Sequence, residues 1–220
     1  MNMSTCNNND DDTSDVYMTR HAARADRQSR WRPLPGHSNE DCEISNDGEE
    51  SAAELKKKFD PIHLSHIVSS PFLRCIQTVL PIAVAKGLPI KIEPGIGEVG
   101  STGFWDAHRS ASEHSFPIDL NYKPILPRHE LQPEWSDGDA AARSKKPAAA
   151  IRQHLDGPIL FCGHGASCLG IAHAFNGNGY VGYSSFSQFI FDGNSWHVEV
   201  MGDVSHLSRK HAKESLASAW

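Results

Sequence analysis

Short apolar runs alternate along this chain with longer segments of mixed polarity, and the two periods separate strands from helices. Asp15–Thr19 (DVYMT), His66–Ser69 (HIVS) and Ile90–Glu93 (IKIE) read as short strands. Pro158–Cys162 (PILFC) is apolar throughout, as in a strand covered on both faces. Ser187–Phe191 and Trp196–Val200 alternate around Asp192-Gly193-Asn194, which signals a hairpin. Gly48–Phe59 predicts a helix with acids in its first turn and lysines in its last, as the helix dipole favours. Pro71–Lys86 predicts a second, with Pro at its first position, Gly87 just past its end and a kink at Pro81. Gly138–Leu155 predicts an Ala-rich helix broken near Pro147, and Ser167–Phe175 a fourth.

This order is that of a three-layer α/β/α sandwich with a mostly parallel central sheet. The domain runs over 15–207, between an acidic tail at 1–14 and a short basic tail, or frayed helix, at 208–220. Residues 100–136 are rich in Pro, Gly and polar side chains and read as an insertion or lid, in which Trp105 is a candidate for shaping a substrate pocket. Ligands of such folds sit at the carboxyl ends of the parallel strands.

Composition narrows the classes. The net charge of −6 argues against a nucleic-acid partner. No apolar run approaches the roughly 20 residues of a membrane span, and the polar N-terminus does not resemble a secretory signal. Five cysteines at irregular spacing, with no CxxC and no Cys/His quartet, predict reduced thiols and a cytoplasmic protein. Arginines crowd between Arg20 and Arg32, locally reversing the sign of the mean charge.

Three strand ends carry chemistry. Arg20-His21-Ala22-Ala23-Arg24 places a histidine among arginines. Positive neighbours disfavour imidazolium, so His21 is expected to be a neutral nucleophile, with the arginines holding phosphoryl oxygens. Ser69-Ser70-Pro71 leads to Arg74 at a helix start, where a cation is unfavourable unless an anion is present. Gly163-His164-Gly165 follows the apolar strand, and glycine lets backbone approach a ligand closely. Each piece alone reads equally as a surface loop or turn; together they point to a phosphate site.

The three pieces resemble the histidine phosphatase superfamily, also called phosphoglycerate mutase-like. Its hallmark Arg-His-Gly, with an Arg three positions after the His, stands here as Arg20-His21-Ala22 with Arg24. Asp41–Gly48 is a degraded match to its next motif, without the family's Pro-Leu-Thr. Ser69–Arg74 and His164 match two more. The wording of Ile92–Glu98 (IEPGIGE) resembles the branch containing ecdysteroid-phosphate phosphatase and the phosphatase domain of T-cell ubiquitin-ligand proteins.

The resemblance implies hydrolysis of a phosphomonoester, from a small molecule or a phosphoprotein, through a phosphohistidine on His21. Arg20, Arg24, Arg74 and His164 would line the phosphate pocket. Glu98 would protonate the leaving group, ahead of Glu93 and Asp26. No metal or cofactor is implied. The substrate and the oligomeric state stay open, a homodimer included.

The main departure is Ala22, strained if that position needs positive φ. A phosphate-binding pseudoenzyme is therefore one alternative. A mutase is another, disfavoured because Glu98-Val99-Gly100 lacks the family mutases' Glu-Arg-His-Tyr-Gly. Gly95–Gly100 also spells G-x-G-x-x-G, but no apolar helical period follows, so a dinucleotide site is not expected.

Overall fold

A computed structural model describes residues 14–34, 40–100 and 116–218. The expected acidic tail, apart from Ser14, and residues 101–115 of the expected lid, Trp105 among them, lie outside the described residues. Six strands form one sheet: β1 (Val16–Arg20), β2 (His66–Ser69), β3 (Ile90–Ile92), β4 (Ile159–Gly163), β5 (Phe186–Phe191) and β6 (Trp196–Asp203). Their spatial order is β3-β2-β4-β1-β5-β6. β1 to β4 are mutually parallel, whereas β5 runs antiparallel to both β1 and β6.

The period-two pattern divides the core between two faces. Tyr17, Ile67, Leu160 and Cys162 point to one side, where Leu55 and Phe59 of α1 (Asn46–Phe59) meet Ile76, Val79 and Ile82 of α2 (Leu73–Lys86). Val16, Met18, Val68, Ile159 and Phe161 point to the other, against Ala148 and Ile151 of α3 (Asp137–His154) and Ile171 of α4 (Gly165–Ala174). A three-layer α/β/α sandwich results, with apolar residues on both faces of β4.

Two helix expectations change. α2 begins at Leu73, not Pro71, because Phe72 is extended and the Leu73 N–H is taken by the Asp41 carboxylate at 2.7 Å. α3 passes through Pro147 unbroken. The proline removes one backbone donor, but Pro147, Ala148 and Ile151 are all buried along the helix and hold it to the domain. α2 likewise continues through Pro81 and ends on Gly87, whose φ of 65° is the left-handed conformation glycine adopts without strain. Residues 209–217, within the segment read as a short basic tail or frayed helix, form a helix, α5 (Arg209–Ala217).

Glu93, weighed as a lesser acid, has a structural setting. Its buried carboxylate accepts from the backbone of Gly95, Ile125 and Leu126 and from the Tyr122 hydroxyl, at 2.7–3.1 Å. It thereby ties the 122–126 segment to the end of β3. Burial pushes its pKa up against the pull of those donors. Glu93→Gln would turn an amide N–H toward backbone donors. Urea unfolding is expected to show a loss of about 1–3 kcal/mol; an unchanged midpoint would contradict the tethering role.

Candidate active site

β1 and β4 pair with Arg20 opposite Gly163. The next residues, His21 and His164, therefore leave the sheet side by side. The His21 N–H donates to the Gly163 carbonyl at 3.0 Å, and the two imidazoles lie 5.2 Å apart between centroids. β2, on the other side of β4, delivers Ser70 and, through α2, Arg74. The turn after β3 delivers Glu98.

His21 is almost fully buried. Its Nδ1 lies 2.8 Å from the Ala22 carbonyl, which can only accept, so Nδ1 carries the proton and Nε2 the lone pair. Burial, then the charges of Arg74, His164 and Arg20, hold its pKa well below the ordinary histidine value. The neutral imidazole expected from its arginine neighbours is thus accounted for by burial first and charge second.

Ala22 is unstrained. Among the described residues, the non-glycine positions with positive φ are Arg30, Asn176 and Ser184. The methyl group packs with Ile44 and Ala52, and the Ala22 N–H donates to Thr78 Oγ1 at 2.8 Å.

Arg74 is the largest fully buried side chain among the described residues. Its Nη1 donates to the Glu40 carbonyl at 2.8 Å and its Nη2 to Glu98 Oε2 at 3.4 Å, while the guanidinium lies over the Phe72 ring at 4.6 Å. Nη2 also stands 3.2 Å from His164 Nδ1. Its buried Nε–H has no hydrogen-bond partner, and neither has that of Arg20. Two unmatched guanidinium donors beside a neutral histidine mark a place suited to an anion.

His164 caps α4 and is fully buried, with Nε2 2.8 Å from Ser70 Oγ and Nδ1 3.3 Å from Glu98 Oε2. Burial pushes the Glu98 pKa up, but His164 and then Arg74 pull harder and hold the carboxyl well below its ordinary range.

The structure thus brings together His21, Arg74, Glu98 and His164. Arg20 backs the group. Its guanidinium lies 4.6 Å over the Tyr183 ring, and Nη1 donates to the carbonyls of Val181 and Ser218 at 3.2 and 2.6 Å. Arg24 pairs with Asp26, its Nε 2.9 Å from Oδ1, and Cys42 lies in the field of both Arg24 and Arg74. Sequence reasoning did not single out Tyr183, whose ring lies 5.2 Å from His21. Ser70 stood within the quoted Ser-Ser-Pro motif without a role. Ligand atoms of His21, Glu98 and His164 lie within 4.8 Å of one another, close enough for a divalent cation. Arg74, touching two of the three, puts a fixed positive charge there and favours an anion.

The geometry agrees with comparison to known proteins. Residues 16–204 match the model of the histidine phosphatase superfamily (branch 1). The chain belongs to this superfamily. Over 88 residues, 34% of this chain, it is 34% identical to the Mus musculus ubiquitin-associated and SH3 domain-containing protein A. Over 81 residues, 32% of the chain, it is 32% identical to the Drosophila melanogaster ecdysteroid-phosphate phosphatase. These stretches cover only 14% and 10% of the two relatives.

Solved structures share the histidine phosphatase fold at low identity. The ecdysone phosphate phosphatase of Bombix mori, in complex with tungstate, superposes with a TM-score of 0.66 at 18% identity, covering 86% of this chain and 92% of that one. Bacillus stearothermophilus YhfR gives 0.64 at 21%, covering 88% and 99%. The G-x-G-x-x-G of Gly95–Gly100 forms a single 3-10 turn followed by non-helical backbone, so no dinucleotide-type helix opens within it. Among the described residues, no helix is long and apolar enough to cross a membrane.

Proposed function

We propose that this chain hydrolyses a phosphomonoester through a phosphohistidine on Nε2 of His21. One observation carries the reading. The Ala22 carbonyl fixes the His21 tautomer, so that a neutral Nε2 lone pair faces a group built from Arg74, Arg20 and His164.

Nε2 attacks phosphorus in line, and the bond from phosphorus to the ester oxygen breaks. That oxygen leaves with a proton from Glu98. Water then attacks the phosphohistidine, gives a proton to Glu98, and releases phosphate and neutral His21. The arginines supply the charge stabilisation on which phosphoryl transfer depends. Glu98 is ionised before substrate arrives. A phosphoryl dianion opposes the field of Arg74 and His164, so the carboxyl takes up the proton it later donates. The tungstate in the Bombix mori relative is a tetrahedral oxyanion like phosphate, and this supports an oxyanion pocket here. The described cysteines are free and buried, which supports a reducing, cytoplasmic setting.

The test is turnover of phosphomonoesters, with and without a chelator, combined with mass spectrometry of acid-sensitive phosphopeptides after rapid quench. Phosphate on the His21 peptide and chelator-resistant turnover are expected. Glu98→Gln should lose roughly 10²–10⁴-fold on an alkyl phosphate, whose oxygen needs a proton, and far less on 4-nitrophenyl phosphate. Equal losses on both would remove Glu98 from the acid role.

A further inference from the structure

We propose that α1 and α5 together form a divalent transition-metal site, distinct from the phosphate site, with His211 Nε2 and carboxylate oxygens of Asp47 and Glu50 as ligands. The three ligand atoms lie within 4.8 Å of one another. Asp47, Glu50 and Glu54 recur at positions i, i+3 and i+7 of α1, on one helical face. His211, on α5, faces them.

The histidine points to a metal rather than to a mere acidic patch. His211 is only 4% exposed. Its Nδ1 lies 2.9 Å from Glu54 Oε2, a carboxylate that takes the ring N–H. The lone pair is thereby left on Nε2. That nitrogen is buried without a hydrogen-bond partner and stands 3.4 Å from Glu50 Oε2. An acceptor facing acceptors is repulsive unless a proton or a cation lies between them. A histidine held through its other nitrogen by a carboxylate is the usual support of a metal-bound imidazole.

One nitrogen and two or more oxygens suit Zn²⁺. The opening is there, since the Asp47 and Glu50 side chains are 38% and 67% exposed. Lys210 Nζ holds Asp47 Oδ1 at 2.6 Å, and the Ser208 N–H donates to Glu54 Oε2 at 3.0 Å. The lysine would have to share Asp47 with the ion.

The site fastens α5, and α5 reaches the catalytic histidine. Ser215 Oγ donates to the Tyr183 carbonyl at 2.7 Å, and the Tyr183 N–H donates to Ser218 Oγ at 3.1 Å. The Ser218 carbonyl takes Arg20. Gly182 lies so close to Ser215 that a Cβ there would collide with its carbonyl. A metal joining α1 to α5 therefore steadies Tyr183 and Arg20 beside His21.

The inference does not rest on the proposed hydrolysis. The full chain, stripped with chelator, is titrated with Zn²⁺ by calorimetry, alongside Glu50→Gln, Glu54→Gln and Glu98→Gln. One Zn²⁺ should bind to the wild type and to Glu98→Gln alike. Glu50→Gln, at an exposed position that leaves folding intact, should weaken it at least tenfold, and Glu54→Gln roughly 10–100-fold. Zn²⁺ should also slow hydrogen exchange in 181–184 and 209–217. Undiminished binding in Glu50→Gln, or loss only in Glu98→Gln, would overturn the site. So would a cluster that responds to pH between 5 and 8 but not to Zn²⁺, because the bridging cation would then be a proton. Binding without added protection in α5 would overturn the fastening.

Discussion

Replacing His21 with alanine is expected to abolish turnover, lowering kcat by at least about 10⁴-fold, because it removes the proposed nucleophile. His164 is committed at both nitrogens, to Ser70 and to the Arg74–Glu98 pair. Steady-state assays settle this, and residual activity within tenfold of wild type would remove His21 from the mechanism. The variant also has a stability signature with a definite sign. The folded-state pKa of His21 lies below its unfolded value, which is near 6.5. Above that pH both states are neutral and the group contributes no pH dependence. As pH falls below it, the unfolded chain binds a proton that the folded chain refuses, and wild-type stability declines until the folded pKa is reached. His21→Ala lacks this decline. Unfolding curves for variant and wild type should therefore converge or cross between pH 6.5 and lower values.

Arg74→Met is the second large effect. The guanidinium is buried, bridges Glu98 and His164, and keeps an unmatched Nε–H for a ligand oxygen. Losing such a contact to a transferring phosphoryl group costs on the order of 10³-fold in kcat/KM. Arg74→Lys should recover only part of this, since an ammonium keeps the charge but not the planar fork. The two variants separate further in their pH profiles. Arg74 is the largest of the charges depressing the His21 pKa. Its removal in Arg74→Met should shift the acid limb of kcat/KM to higher pH, and Arg74→Lys should leave that limb nearly in place. A change in KM alone, with the limb unmoved, would place Arg74 in substrate binding at a distance from His21.

Sequence pattern alone was enough for the layers, because β1, β4 and their neighbours must bury both faces and say so residue by residue. His21, Arg74 and His164 were legible for the same reason. Each follows a recognisable strand, and parallel strands present their ends together. Tyr183 was not, since it precedes β5 in a loop, outside any strand or motif, and is brought to the group by a backbone bridge to Arg20 and by its ring against Arg20 and His21. α5 was faint because its buried residues are His211 and Ser215, polar groups that leave no apolar period. Motif reasoning was silent on Asp26, two residues after Arg24, which pairs with its guanidinium.

The pairing of β1 with β4 has a consequence in time as well as space. His21 and His164 meet only when the first strand finds one that emerges after β2, β3 and helices α1, α2 and α3 have been made. Closing so long a loop costs entropy before any contact rewards it, and such non-local pairing is slow. During synthesis, the β2–β3 pair and α2 can assemble while the central strand is still inside the ribosome. His21 therefore acquires its burial, its depressed pKa and its partner histidine in one late step, so a partly folded chain carries it as an ordinary solvated imidazole.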